Sequence, residues 1–403
     1  MSRRRRKLLV KLAVMLASAC VALVVGEAAL RVLLPRQDRL YVWPPGMRRT
    51  LRPLTGIMPG VEGEARFIVN SDGFRADELT PDFSYRILAV GGSTTECLYL
   101  DQDEAWPQLL QKNLNEKQHS QKVWVGSAGK SGLNTRDNIV QLRHILSQFK
   151  QLDALILLVG VNDLSTRLRQ DAGYDPNFMR REDAERQLLS RAFAAPFEES
   201  LPFYKRTAVW RLLREVKASV RPSREAVVED EAGKQFVVWR EHRRSASAIR
   251  RTLPDLNAAL DEYARNVNTI IDLARQKSVR VVFVTQPYMW RPGLAPELND
   301  LLWMGGIGNF QEEGGKEYYS VEALANGMEL YNQTLLKTCR DRGAECVDAA
   351  ALVPKDTTAF YDDVHLNEGG ARRLAEILSD YLTRAGFAPT RGNAVSVGAP
   401  ALH

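Results

Sequence analysis

The sequence predicts an α/β domain built on a parallel sheet, and three observations predict it. Short apolar runs recur at 87–90, 122–125, 153–159 and 279–285, as strands buried on both faces should read. Segments with apolar residues at helical spacing separate them, at 106–116, 138–149 and 256–276, and two more, 321–342 and 368–385, flank a short strand at 345–347. The first three runs lead into glycine and polar residues, Gly91-Gly92-Ser93, Gly126-Ser127 and Gly160-Val161-Asn162-Asp163. Those loops would converge on one edge of the sheet, where open α/β sheets bind ligands.

Composition agrees with a globular core: of 403 residues, 45% are hydrophobic and 26% charged. The formal charge of +6 owes much to Arg3, Arg4, Arg5, Arg6 and Lys7. Without that tail the chain is close to neutral, so charge offers no case for a nucleic-acid partner. No zinc-type cysteine spacing is present.

The basic tail runs into an apolar stretch from Leu8 to Gly26 interrupted only by Lys11. That length suits a membrane-spanning helix, and the arginines would hold its amino end in the cytoplasm. The expectation is a single-pass anchor in the inner membrane, with the rest of the chain periplasmic or extracellular. A cleaved signal peptide ending near Ala17-Ser18-Ala19 and lipidation at Cys20 are the rivals. The run continues past Cys20, which favours the uncleaved anchor. Export would permit a disulfide between Cys339 and Cys346, which bracket a short loop; the other reading is two unpaired thiols. Cys97 reads as a small buried hydrophobe.

The expected boundaries are a tail and anchor at 1–33, a connector packing on the domain at 34–83, the α/β domain at 84–388, and a disordered tail at 389–403. The connector is rich in Pro, Gly and Arg, with one strand-like piece at 65–69 and a turn at Asn70-Ser71-Asp72-Gly73. Within the domain, 164–253 breaks the rhythm. Its mixed-sign charges suggest a helical insertion, with helices near 182–193 and 209–218, solvated or acting as a lid. The loop holding Leu301 to Gly308, LLWMGGIG, has residues that line a pocket or cover a core.

Chemistry is carried by few residues. Gly-Gly-Ser-Thr also describes plain turns, but here it places the Ser93 hydroxyl at the ligand edge of the sheet. Five histidines are present, and only His365 sits in a loop leading into a helix of the alternating frame, beside Asp362 and Asp363. An Asp-x-x-His is by itself often a capping turn. Together with a serine it is what acyl transfer needs: a base for the hydroxyl proton and a carboxylate to hold the base's tautomer.

A serine after the first strand, glycine after the second, Gly-x-Asn-Asp after the third and Asp-x-x-His before the last helix resemble the SGNH (GDSL-like) hydrolase family, over about Ser84 to Ala385. The amino-terminal apolar helix followed by NSDGFR is similar to a bacterial membrane-anchored branch of it. The resemblance implies a flavodoxin-like three-layer α/β/α sandwich. It also implies Ser93 as nucleophile, His365 as general base and Asp362 as its partner, with Asp363 a less well spaced substitute. The N–H groups of Ser93 and Gly132 and the Asn162 amide would form the oxyanion hole. Gly91-Gly92-Ser93-Thr94 replaces the family's Gly-Asp-Ser-Leu, and Ser127 stands where an asparagine is common. Asp163 reads as a structural residue and Glu96 as a cap or surface residue. No cofactor or metal is called for.

The function implied is hydrolysis of an acyl ester, acetyl by preference, on an envelope glycan or a lipid-like molecule. A polysaccharide O-acetyltransferase would use the same residues with a sugar as acceptor. A silent glycan-binding or scaffold subunit of an export complex need not keep them all.

Overall fold

The computed structural model describes residues 3–33, 39–117, 121–149, 151–194, 204, 207–210, 212–213, 216 and 227–387. They fall into two compact units, residues 1–40 with 195–224 and residues 41–194 with 225–403. The tail after Pro389, His119, His403 and part of the helix expected at 209–218 lie outside the described residues.

In the first unit, helix α1 (Arg3–Leu33) carries the apolar run. Its segment Val10–Leu33 has a mean hydropathy of 2.2 over an 18-residue window, none of which is buried. At 1.5 Å per residue it is about 36 Å long, enough for a bilayer core; the same composition also suits a signal sequence. Where the run ends, the Glu27 carboxylate accepts hydrogen bonds from the backbone N–H groups of Ala208 and Val209, at 2.8 and 3.1 Å.

In the second unit, β1 (Arg48–Pro53) and β2 (Ala65–Ile68) pair antiparallel. Then come β3 (Tyr85–Gly91), the single-turn α2 (Ser93–Glu96), α3 (Trp106–Lys117), β4 (Val123–Ser127), α4 (Thr135–Gln148), β5 (Ala154–Leu158), α5 (Val161–Gln170) and α6 (Ala184–Ala192). After the stretch that belongs to the first unit follow β6 (Val227–Ala232), α7 (Gln235–Arg244), β7 (Ala248–Arg250), α8 (Asn257–Gln276), β8 (Arg280–Val284), β9 (Glu317–Tyr319), α9 (Val321–Arg342), β10 (Glu345–Val347) and α10 (Glu368–Ala385).

Five strands form the central sheet in the order β10-β8-β5-β3-β4, every pair parallel. Read from β4, this is the 2-1-3-4-5 order of flavodoxin-like folds. The first crossover runs one way and the next three the other. Since such crossovers are right-handed, α3 lies on one face and α4, α8 and α9 on the other, and α10 packs beside α3. The strands need apolar side chains on both faces, and every residue of β4, β5 and β8 is buried. Each buried Val, Leu, Ile or Phe contributes about 1.5–3 kcal/mol.

Two differences from the expected elements have physical causes, one local and one distant in the chain. Helix α4 starts three residues before the apolar periodicity does, because Asn134 caps it: its Oδ1 accepts from the Arg136 N–H at 3.0 Å while the Asp137 carboxylate accepts from the Asn134 N–H at 3.0 Å, a reciprocal cap worth about 1 kcal/mol. The stretch 164–253 contains helices and also β6, which pairs parallel with β1 of the connector, and β7, which pairs with β9. Its alternating charges hide these strands, since β6 is largely exposed. Cys339 and Cys346 are joined by a disulfide, with Cα atoms 6.2 Å apart.

Candidate active site

Strand β3 ends at the point where the strand order reverses, between β3 and β5, and Ser93 opens α2 immediately beyond it. The intervening glycines are required by close approach. A Cβ on Gly92 would lie 2.2 Å from the Asn162 amide nitrogen, and one on Gly91 would lie 2.5 Å from the Leu158 carbonyl. The single turn ends at Cys97 in a left-handed conformation, φ 51°. Burial pushes the Cys97 thiol up to about 11, so it stays protonated and inert.

The turn is held from outside by the connector. Arg75, of the NSDGFR stretch, is 1% exposed and donates to the carbonyls of Glu96, Cys97 and Leu100 at 2.7, 2.6 and 2.7 Å. Its own backbone pairs with Ser127 at the end of β4, N–H to O and O to N–H, both 3.1 Å. Burial pulls its guanidinium down to about 10, against the favourable field of Cys97 and Glu96. Glu96 needs a correction: it is 2% exposed, not a surface residue. Its carboxylate accepts from the Ser131 hydroxyl, and burial raises its pKa.

His365 precedes α10. Its Nε2 lies 2.8 Å from Ser93 Oγ and its Nδ1 2.7 Å from Asp362 Oδ2. The Asp362 carboxylate also accepts from the backbone N–H groups of Val364 and His365, at 3.0 and 2.8 Å, and from the Trp303 indole at 2.8 Å. These donors leave a fully buried carboxylate without an open lone-pair direction and fix the ring. With Nδ1–H donated to Asp362, the Nε2 lone pair is the one that meets the serine hydroxyl. Burial alone would raise the Asp362 pKa, but the His365 charge and these hydrogen bonds hold it below the ordinary carboxylate range. Burial likewise opposes a charge on His365, and Asp362 outweighs it, so the imidazole sits above 6.5.

Asp363, the alternative partner, points elsewhere. Its carboxylate accepts from the Trp290 indole at 2.8 Å and from the backbone N–H groups of Trp303 and Met304 at 2.8 and 3.2 Å. Burial and the neighbouring Asp362 charge raise its pKa, with Arg243 opposing. Two arginines of α7 brace the same loops through their carbonyls. Arg240 donates to Ile57 and Tyr361, at 2.8 and 3.2 Å, and Arg243 to Met304 and Tyr319, at 2.6 and 3.1 Å.

Ser93, His365, Gly132 and Asn162 line one cavity of about 470 Å³, the size of small-molecule sites. Asn162, at the start of α5, donates one amide hydrogen to the Leu133 carbonyl at 2.8 Å, and an amide nitrogen has a second to offer. Gly132 has φ 77°, a conformation that favours glycine. Ser127 lies away from the cavity, donating its hydroxyl to the Thr95 carbonyl at 3.0 Å. Asp163 accepts from the Thr135 N–H at 3.2 Å and from its hydroxyl, tying α5 to α4, and burial raises it to about 7. Among the described residues no group of three or more His, Cys, Asp or Glu is placed to hold a metal ion.

Sequence reasoning missed Trp303, Trp290, Arg75, Arg240 and Arg243. LLWMGG marked the Trp303 loop, but no spacing tells that its indole meets a carboxylate 59 residues away. NSDGFR marked Arg75 only as part of a resemblance.

The model of the GDSL-like lipase/acylhydrolase family matches residues 89–373. The chain belongs to this family. It is accordingly a hydrolase acting on ester bonds. No curated protein matches the sequence. Among solved structures, an acetylxylan esterase of Geobacillus stearothermophilus is similar at 13% identity, covering 78% of this chain and 100% of its own, with a TM-score of 0.40. The psychrotrophic esterase EstA of Pseudoalteromonas sp. is similar at 10% identity, 75% and 98% coverage and a TM-score of 0.36. An α/β hydrolase enzyme from the metagenome of Lake Arreo, Spain, is similar at 12% identity, 73% and 93% coverage and a TM-score of 0.39.

Proposed function

We propose that this GDSL-like hydrolase cleaves an acyl ester, acetyl by preference, of an envelope glycan or lipid-like substrate through an acyl-enzyme on Ser93. The observation that carries the reading is the unbroken chain of contacts from Ser93 Oγ to His365 Nε2, 2.8 Å, and from His365 Nδ1 to Asp362, 2.7 Å. His365 takes the hydroxyl proton as Ser93 attacks the acyl carbon, and then passes it to the departing alcohol. Water, deprotonated by the same imidazole, opens the acyl-enzyme and releases the acid. The N–H groups of Ser93 and Gly132 and the Asn162 amide hold the oxyanion at each tetrahedral stage. Helix α1 serves as an uncleaved anchor that keeps the site outside the cytoplasm, with the connector at 34–83 packing on a catalytic domain at 84–388. Support comes from the apolar length of the helix and the arginines before it.

The test uses the full chain in detergent beside Ser93→Ala, with p-nitrophenyl acetate and with or without an acceptor oligosaccharide. The expected result is hydrolysis that falls at least about 10³-fold in the variant. Equal rates for the two proteins would overturn the serine mechanism, and acetyl appearing on the oligosaccharide would replace water by sugar as acceptor.

A further inference from the structure

Charge in the cavity is distributed on one side only. Among the described residues three arginines line it, Arg136, Arg169 and Arg191, and no aspartate or glutamate does. Two of the three are already neutralised. Arg136 pairs with Glu262 at 2.7 Å, both buried, and Arg191 pairs with Asp137 at 3.2 Å while donating to the Gly132 carbonyl at 3.0 Å. Among the described residues, Arg169 has no ion pair and no side-chain hydrogen bond. A cation near the carboxyl end of a helix is favoured by the helix dipole, which accounts for an arginine there. It does not account for a cavity wall whose described residues include no acid.

Position gives the charge a meaning. Asn162, Ser165, Thr166 and Arg169 stand at i, i+3, i+4 and i+7 on α5, one face of a helix, and all four line the cavity. Seven residues at 1.5 Å each put Arg169 about 10 Å along that face from the oxyanion amide. Polar amides, Gln170, Gln187, Gln235 and Gln311, add hydrogen-bonding groups to the lining. The aromatic part of the lining includes Trp239 and Trp303, whose ring centroids are 4.6 Å apart. A ligand flat and apolar on one side, hydroxylated on the other and anionic about 10 Å from the ester fits this wall.

We infer that the substrate's alcohol part is an acidic glycan, and that Arg169 receives the carboxylate of a sugar unit neighbouring the acylated one. This rests on the ester-hydrolase reading of the same cavity. The guanidinium fork binds a carboxylate through two hydrogen bonds, and its freedom from internal partners means no pair has to be broken first.

The experiment is competition by tetragalacturonate, and by the same oligomer with its carboxyl groups reduced, against p-nitrophenyl acetate hydrolysis by the full chain. Calorimetric binding of both oligomers to Ser93→Ala is measured in parallel. The expected result is at least about tenfold tighter binding of the acidic oligomer in both assays, a gap that closes on raising salt. Arg169→Gln should erase the gap while leaving the reduced oligomer's affinity in place, and Arg169→Lys should restore part of it. Equal affinities for the two oligomers, binding of neither, or a gap that survives Arg169→Gln would each overturn the inference. The hydrolase reading fails separately, through Ser93→Ala hydrolysing as fast as the parent, because calorimetry reads the subsite without turnover.

Discussion

The serine loop and the histidine loop are both buried and both irregular, yet they are held by groups of opposite sign. Beyond Ser93 the chain turns carbonyls inward, and a cation, Arg75, collects those of Glu96, Cys97 and Leu100. Around His365 the chain turns N–H groups inward, and two anions collect them: Asp362 those of Val364 and His365, Asp363 those of Trp303 and Met304. A loop at a sheet edge cannot satisfy its own backbone, so a buried charge does it. The contrast teaches that only one of these three charges reaches the Ser93–His365 pair. Asp362 also touches the imidazole, whereas Arg75 and Asp363 act through the loops they hold.

Substitutions sharpen that contrast in order of effect. Asp362→Asn removes the acceptor that selects the His365 tautomer, and kcat for p-nitrophenyl acetate is expected to fall about 10³–10⁴-fold with the fold intact by circular dichroism. Asn162→Ala removes one donor of the proposed oxyanion hole, and kcat should fall about 10²–10³-fold with KM little changed. A loss spread equally over binding of the ground state would argue against that role.

Arg75→Met leaves three carbonyls without their donor. We expect about 3 kcal/mol of lost stability in a denaturant melt and a fall of about tenfold in kcat, because Ser93 drifts from His365. Arg75→Lys should recover part of both. Unchanged melting would refute the clamp.

Asp363→Asn is the mildest. The amide oxygen can keep the Trp303 and Met304 N–H groups but the amide nitrogen then meets the Trp290 indole donor, so stability falls, and less than tenfold in kcat is expected because Asp363 does not touch the imidazole. The pH profile separates the two acids. In the proposed mechanism His365 must be neutral to accept the serine proton, and its pKa is raised above 6.5, so activity should fall as pH drops through a midpoint above 6.5. Asp363→Asn removes a smaller field and should move that midpoint slightly down. Asp362→Asn removes the largest favourable one and should move it furthest. A midpoint unmoved by Asp362→Asn would break the comparison.

Several elements were legible because their signals are local. Apolar runs on both sides of a sheet and the helical spacing between them depend on neighbours in the chain, and the helices at 321–342 and 368–385 have the expected limits. The glycines before Ser93 announce a backbone packed against something, and the Asp-x-x-His spacing can bring Asp362 to its own neighbour. Where the expectation fell short, as for Glu96, β1 and β6, the deciding contacts are distant. Glu96 is buried by a loop some thirty-five residues on, and β1 finds its parallel partner about 180 residues away.

By itself, then, the sequence determined the alternation, the order of the polar loops along it, the apolar amino-terminal helix and the candidate chemistry of Ser93, Asn162, Asp362 and His365. Only the tertiary structure decided which carboxylate of the pair meets the imidazole, that Trp303 closes the far side of Asp362, that Arg75 holds the turn after Ser93, and that among the described residues the cavity wall carries an unpaired arginine and no acid. The physical reason is that periodicity, turns and caps are summed over a few adjacent residues. A buried charge is settled by whatever the fold brings within 3 Å of it, at any separation along the chain.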